Sequence, residues 1–223
     1  MRKKLLVQTT EYMYCIVAKL NNRPNNKELF DLNEKDCWNL FCHVLMDTQK
    51  KFNLQIHAFL MINNHIHLLA STPDENIDKA ILYFMTTTSK AIGFLTNKTH
   101  RVWKSKYERT LITSPENYAH AFKYLYSHPL RAGIENSIEN YKWSTIDSKK
   151  YSKYKNKLII EQPQSFDSYI PESRNQLLAW INHTDDVYYT EQVRTALEKS
   201  VFEFPNDDGV KKYEYFKNFL LKK

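Results

Sequence analysis

Two β-rich runs, Leu54 to Ile62 and His65 to Ser71, are separated only by Asn63-Asn64. Asn-rich two-residue connections favour tight hairpin turns, so the pair predicts two adjacent antiparallel strands. A hairpin cannot stand alone in water and needs further strands or a helix to cover its apolar face. The flanking sequence supplies both. Glu11 to Leu20 is rich in β-formers and predicts a strand, and Asn21 to Asn26 a loop. Between Asn33 and Lys51, Cys37, Leu40, Phe41, Val44, Leu45 and Thr48 recur at helical spacing, with Asn33 as the N-cap.

Past the hairpin, Asp74 to Thr96 predicts a second long helix with Ile77, Ala80, Ile81, Phe84 and Ile92 on one face. Arg101 to Thr113 suits an extended segment. Ser114-Pro115-Glu116 then opens a helix expected to reach Ser127 and to stop at Pro129. Strand, helix, strand, strand, helix, strand, helix is a ferredoxin-like α+β order. It predicts an antiparallel sheet with helices on one face and the other face open for ligands, plus a small C-terminal helical extension. The expected organisation is a domain over 1–147, a basic linker over 148–157 and a helical region over 158–223. Helices are expected at 171–183, 189–202 and 209–222.

Charge is unevenly placed. The chain of 223 residues carries a net charge of +7. Residues 97–157 hold 13 basic and 5 acidic side chains, a balance of +8, whereas residues 158–223 hold 8 and 11, a balance of −3. A cationic stretch of this kind suits an anionic partner, nucleic acid first. No apolar run has the length of a membrane span, and the N-terminus lacks a secretion-signal pattern. The three cysteines, Cys15, Cys37 and Cys42, have no metal-finger spacing and suit buried positions in a reduced, cytoplasmic protein.

His65 and His67 lie two apart on a predicted strand, so both imidazoles face one side of the sheet and could bind one metal ion. An unliganded surface pair is the alternative. Tyr124 and His128 lie four apart on a predicted helix and share a face, whereas Tyr126 points elsewhere. Tyr118, Phe122 and Leu125 form the stripe expected to bury against the sheet. A phenol beside a metal-bound phosphate is a nucleophile able to form a phosphotyrosine; an ordinary amphipathic tyrosine is the alternative.

Together these residues resemble a known family. Asn63 to Leu69 is similar to the His-hydrophobic-His ("HUH") motif of single-tyrosine transposases, and Val102 to Tyr107 to that family's Trp-x-x-x-Tyr/Phe strand. Tyr124 to Gly133, followed by Tyr141 to Ser144, resembles the signature of the REP-associated tyrosine transposases. Tyr14 and Asn22-Arg23 suit the same family. The resemblance spans about residues 10–147.

It implies a DNA transposase that nicks and rejoins single-stranded or hairpin DNA, including repetitive palindromic elements, through a 5′-phosphotyrosine. Tyr124 would be the catalytic nucleophile. His65, His67 and His128 would hold a divalent metal, Mg²⁺ or Mn²⁺. Related proteins occur as monomers and as homodimers, and the sequence leaves both open. His128 stands where REP-associated members usually carry Asn. An all-imidazole set shifts preference toward Mn²⁺, Zn²⁺ or Ni²⁺. The departure also opens an alternative: a domesticated, inactive protein that binds single-stranded or hairpin DNA on the same fold. A metal hydrolase using water in place of Tyr124 is a third reading.

Arg101, Lys104, Lys106, Arg109, Lys123 and Arg131 surround this motif set, and Lys149, Lys150 and Lys153 follow it. With interleaved Tyr107, Tyr151 and Tyr154 they suit a single-stranded DNA track of cations and stacking rings. Trp103 and Trp143 are expected in packing roles, and Gly133 at a positive φ.

Overall fold

The structure is a computed structural model. It describes residues 9, 11–21, 32–97, 101–104, 106–146, 158–161, 163 and 169–205. The expected linker over 148–157, with Lys149, Lys150, Lys153, Tyr151 and Tyr154, lies outside the described residues, as do Asn22-Arg23 and the helix expected at 209–222.

In chain order the elements are β1 (Met13–Lys19), α1 (Glu34–Phe52), β2 (Gln55–Ile62), β3 (His65–Ser71), α2 (Ile77–Thr96) and β4 (Glu108–Ile112). Then come α3 (Pro115–Tyr126), α4 (His128–Arg131), a 3₁₀ turn (Ile138–Asn140), α5 (Arg174–Asn182) and α6 (Val187–Leu197). The class is α+β, with a four-stranded antiparallel sheet in the order β2-β3-β1-β4. This is the ferredoxin-like arrangement that the sequence order predicts.

The chain divides into two compact units that interleave along the sequence. One holds residues 1–108 and 142–161, the other 109–141 and 162–223. This division differs from the linear one expected from composition.

In the first unit, local chemistry sets the helix ends. Asn33 Oδ1 accepts from Asp36 N at 2.9 Å and caps α1. Asn53 and Asn97 end α1 and α2 in the left-handed region, at φ 52° and 51°. The second helix begins three residues later than expected. Thr72 Oγ1 accepts from Asn76 N at 3.2 Å and holds the preceding residues in a turn. The extended segment expected over 101–113 also shortens to β4. Val102 and Trp103 are buried, and Trp103 makes a single bridge with Leu20.

The core of this unit is aromatic. Trp38 of α1 stacks on Phe59 of β2 with ring centroids 5.1 Å apart. Phe41 packs against Phe84 of α2 at 5.7 Å and against Trp103 at 5.8 Å. Trp103 Nε1 donates to Met85 O at 3.0 Å and Thr88 Oγ1 at 3.2 Å, so its expected packing role is what the structure shows.

Sheet parity follows from the Trp38–Phe59 stack. Phe59 faces α1, and its partners Leu68 and then Ile16 share that face. Alternation therefore turns Val17, Lys19, His65 and His67 to the opposite face, away from α1. The three cysteines are free and buried, and burial pushes the Cys15 thiol up to about 12.

In the second unit, α3 packs on α5 and α6, with Tyr118, Phe122 and Leu125 all buried. Phe122 lies parallel to Trp180 of α5 at 6.4 Å and edge-on to Tyr126 at 4.8 Å. Leu111 of β4 bridges Val201, with Leu111 N donating to Ser200 O and Phe202 N to Leu111 O, both at 2.9 Å. Among the described residues no helix is long and apolar enough to cross a membrane.

Phe59→Ala should cost about 3–5 kcal/mol in denaturant unfolding, because it empties a fully buried ring site. Phe94→Ala, at a ring 87% exposed, should stay within about 0.5 kcal/mol.

Candidate functional site

The hairpin register delivers the histidine pair. His67 lies opposite Leu60 on one side and Val17 on the other; His65 lies opposite Ile62 and Lys19. The two imidazole Nε2 atoms converge to 2.8 Å. His65 Nδ1 donates to Asn64 Oδ1 at 2.5 Å, which fixes the tautomer and leaves a lone pair on Nε2. Asn64 is thus more than a turn residue: it orients the His65 imidazole.

This donor pair fits a metal ion. Adjacent ligands about 2.1 Å from one ion sit about 3 Å apart, close to the spacing of these nitrogens. Metal binding requires only that His67 carry its proton on Nδ1. Burial pushes the His65 imidazole down to about 4; Lys19 adds to the shift and Glu108 opposes it. His65 is therefore neutral at pH 7, as a metal ligand must be.

Lys19 and Glu108 were not singled out in the sequence. Lys19 Nζ meets the Glu108 carboxylate at 3.1 and 3.2 Å. Strand placement, β1 beside β3 and β4, brings these residues to His65, and no local motif marks either one. His57, on β2, bonds Glu161 O at 2.7 Å and Ser71 Oγ at 2.9 Å, a structural arrangement.

The second unit carries the tyrosine helix. Ser114 Oγ accepts from Asn117 N at 3.1 Å and caps α3, as its sequence predicts. The helix ends at Tyr126. Pro129 does not stop the chain's helical path but sits in the first turn of α4, where its missing N–H costs nothing. His128 opens α4, and its ring lies 6.5 Å from that of Tyr124 in an edge-on arrangement. Tyr126 is buried against Phe122, whereas Tyr124 is half-buried.

Arg131 braces Tyr124. Its guanidinium lies 4.0 Å from the Tyr124 ring centroid and donates to Tyr124 O at 2.8 Å and to Ser127 Oγ. Gly133 adopts φ +66°, with open space where a Cβ would stand, so backbone conformation and not crowding favours glycine there. Among the described residues the first unit brings His65 and His67 together, while His128 belongs to the second unit with Tyr124.

The expected cationic track is placed unevenly. Arg101, Lys104 and Lys106 are exposed, and Arg109 is half-buried. Lys123 departs from the expected DNA-contact role. It is 3% exposed and pairs with Asp185 at 2.6 Å, with its Nζ 5.7 Å from the Trp180 ring centroid. Desolvation pulls the Lys123 ammonium below its usual range, against the pull of Asp185. Its neighbour Tyr124, one residue on, is half-buried.

Asp185→Asn should cost about 3–5 kcal/mol in denaturant unfolding, since it strands a buried ammonium. The histidines give a pH signature. An unfolded imidazole takes its proton near 6.5, whereas folded His65 resists protonation to about 4 and folded His57 is also lowered. Stability of the metal-free protein is therefore full above about pH 6.5 and is lost as pH falls toward 4. Thermal melts across that window should show the loss, and His65→Gln should flatten it.

No family model matches the sequence. No curated protein matches it. Among solved structures, a REP-associated tyrosine transposase bound to a REP hairpin is similar, with a TM-score of 0.55 and 16% identity. The match covers 65% of this chain and 82% of that one, and it shows a shared fold.

Proposed function

We propose that the chain is a metal-dependent DNA nicking and strand-transfer enzyme, a tyrosine transposase of the HUH type. The observation that carries this reading is the convergence of the His65 and His67 Nε2 atoms at 2.8 Å, on a fold shared with a REP-associated transposase. Tyr124 beside His128 supports it from the helix side.

His65, His67 and His128 would hold the metal, Mg²⁺ or Mn²⁺. When bound, the ion would polarise the scissile phosphodiester and neutralise the charge that develops on its oxygens. Tyr124 Oη attacks phosphorus, the bond from phosphorus to the 3′ oxygen breaks, and the phenolic proton is lost as the 3′ oxygen gains one. The DNA 5′ phosphate is then esterified to Tyr124. Bond energy is conserved in that ester, so a free 3′-OH can attack it and rejoin the strand. Arg131 restricts the Tyr124 ring and presents a cation at its face. Arg101, Lys104 and Lys106 supply exposed positive charge for a phosphate backbone. The similar transposase is bound to a hairpin, which supports single-stranded or hairpin DNA as the partner here.

A second reading is favoured by one observation. His128 opens a separate turn, α4, and stands where the resembled family usually carries an amide. On that reading the protein binds hairpin DNA without cutting it.

Incubation of the protein with a hairpin oligonucleotide and Mn²⁺ should give a covalent adduct that survives denaturing electrophoresis. Tyr124→Phe should abolish the adduct and Tyr126→Phe, if folded, should retain it. An adduct that persists in Tyr124→Phe overturns the assignment. Hairpin binding with no adduct and no metal uptake by titration calorimetry favours the second reading.

A further inference from the structure

The Lys19–Glu108 pair lies beside the histidines, yet neither residue has a part in holding a metal or in the nucleophilic step. Lys19 is the direct cross-strand partner of His65, and both side chains occupy the face turned away from α1. Directly opposite positions in an antiparallel pair place their Cβ atoms about 4.5–5.5 Å apart. A flexible lysine there reaches any anion held at the His65–His67 pair. Its ammonium is already bound by an anion, both oxygens of the Glu108 carboxylate, at 3.1 and 3.2 Å.

The pair is not built for stability. The two side chains are 50% and 52% exposed, and exposed pairs contribute about 0–1 kcal/mol. Such a pair exchanges readily. A phosphodiester offers Lys19 two anionic oxygens in the same manner as the carboxylate, and backbone phosphates are what this ammonium geometry suits.

We propose that Lys19 is a phosphate-binding residue of the histidine site and that Glu108 occupies it until DNA arrives. In the free protein the carboxylate covers the ammonium. On binding, a phosphate replaces the carboxylate, and Glu108 turns to water. Glu108 thus competes with any phosphate that binds at Lys19. The inference rests on the reading that the ligand is DNA and adds one named contact to it.

The test is binding of a fluorescein-labelled single-stranded oligonucleotide, followed by anisotropy across a salt series with chelator present, so that metal plays no part. Lys19→Gln should weaken binding several-fold and lower the slope of log affinity against log salt by about 0.7, one phosphate contact's share. Lys19→Arg should keep the slope. Glu108→Gln should tighten binding several-fold, and the gain should vanish in the Lys19→Gln background.

A purely structural ion pair predicts something else: both single variants would move affinity in the same direction. That result, or no change in either variant, overturns the proposal while leaving the DNA reading intact. If the unaltered protein binds no oligonucleotide at all, the DNA reading itself fails, and this proposal with it. Thermal melts of each variant should match the parent.

Discussion

Antiparallel register is the constraint on which the rest depends. Strand alternation has a period of two, so a slip of one residue would exchange the faces of every side chain. Phe59 on Trp38 fixes which face of β2 is inward. From that single stack, pairing through Leu68 and Ile16 sends His65, His67 and Lys19 outward together. The chemistry of the histidine pair is thus secured by an aromatic contact that never touches it. A polar triplet on one face needs no dedicated scaffold when the opposite face is a packed core.

Much of this was legible in the residues. The Asn63-Asn64 turn, the Asn33 and Ser114 caps and the period-2 spacing of His65 and His67 are local signals, and the structure has each of them. The tyrosine that shares a face with His128 also follows from helix periodicity. What could not be read was anything set by distant partners. Lys123 looks like an exposed cation in sequence, because only Asp185 and Trp180, far along the chain, make its burial tolerable. Pro129 looks like a terminator, yet a second helical turn begins around it. Lys19 and Glu108 carry no motif; they meet only when β1 and β4 are placed.

The C-terminal region shows the same limit on a larger scale. Its acidic balance of charge sets it apart from the cationic stretch before it. Yet α5 and α6 pack on α3, and Tyr189 and Asp185 bond His120 and Lys123 on that helix. Composition reports charge and says nothing of which surface it serves. The helix that carries Tyr124 is held through Lys123 by buried, low-dielectric contacts, where a fixed pair is worth more than on the surface.

The interleaving of the two units bears on how the chain matures. Residues 109–141, with the tyrosine helix among them, are synthesised before the stretch that completes their core. During translation Phe122 must wait for Trp180, and Leu111 for Val201 and Phe202, to emerge. Long-range closures of this sort are slow and leave apolar surface exposed meanwhile. The β2–β3 hairpin, by contrast, closes over a two-residue turn. The His65–His67 hairpin can therefore be in place on the ribosome before the helix that carries Tyr124 acquires its shape.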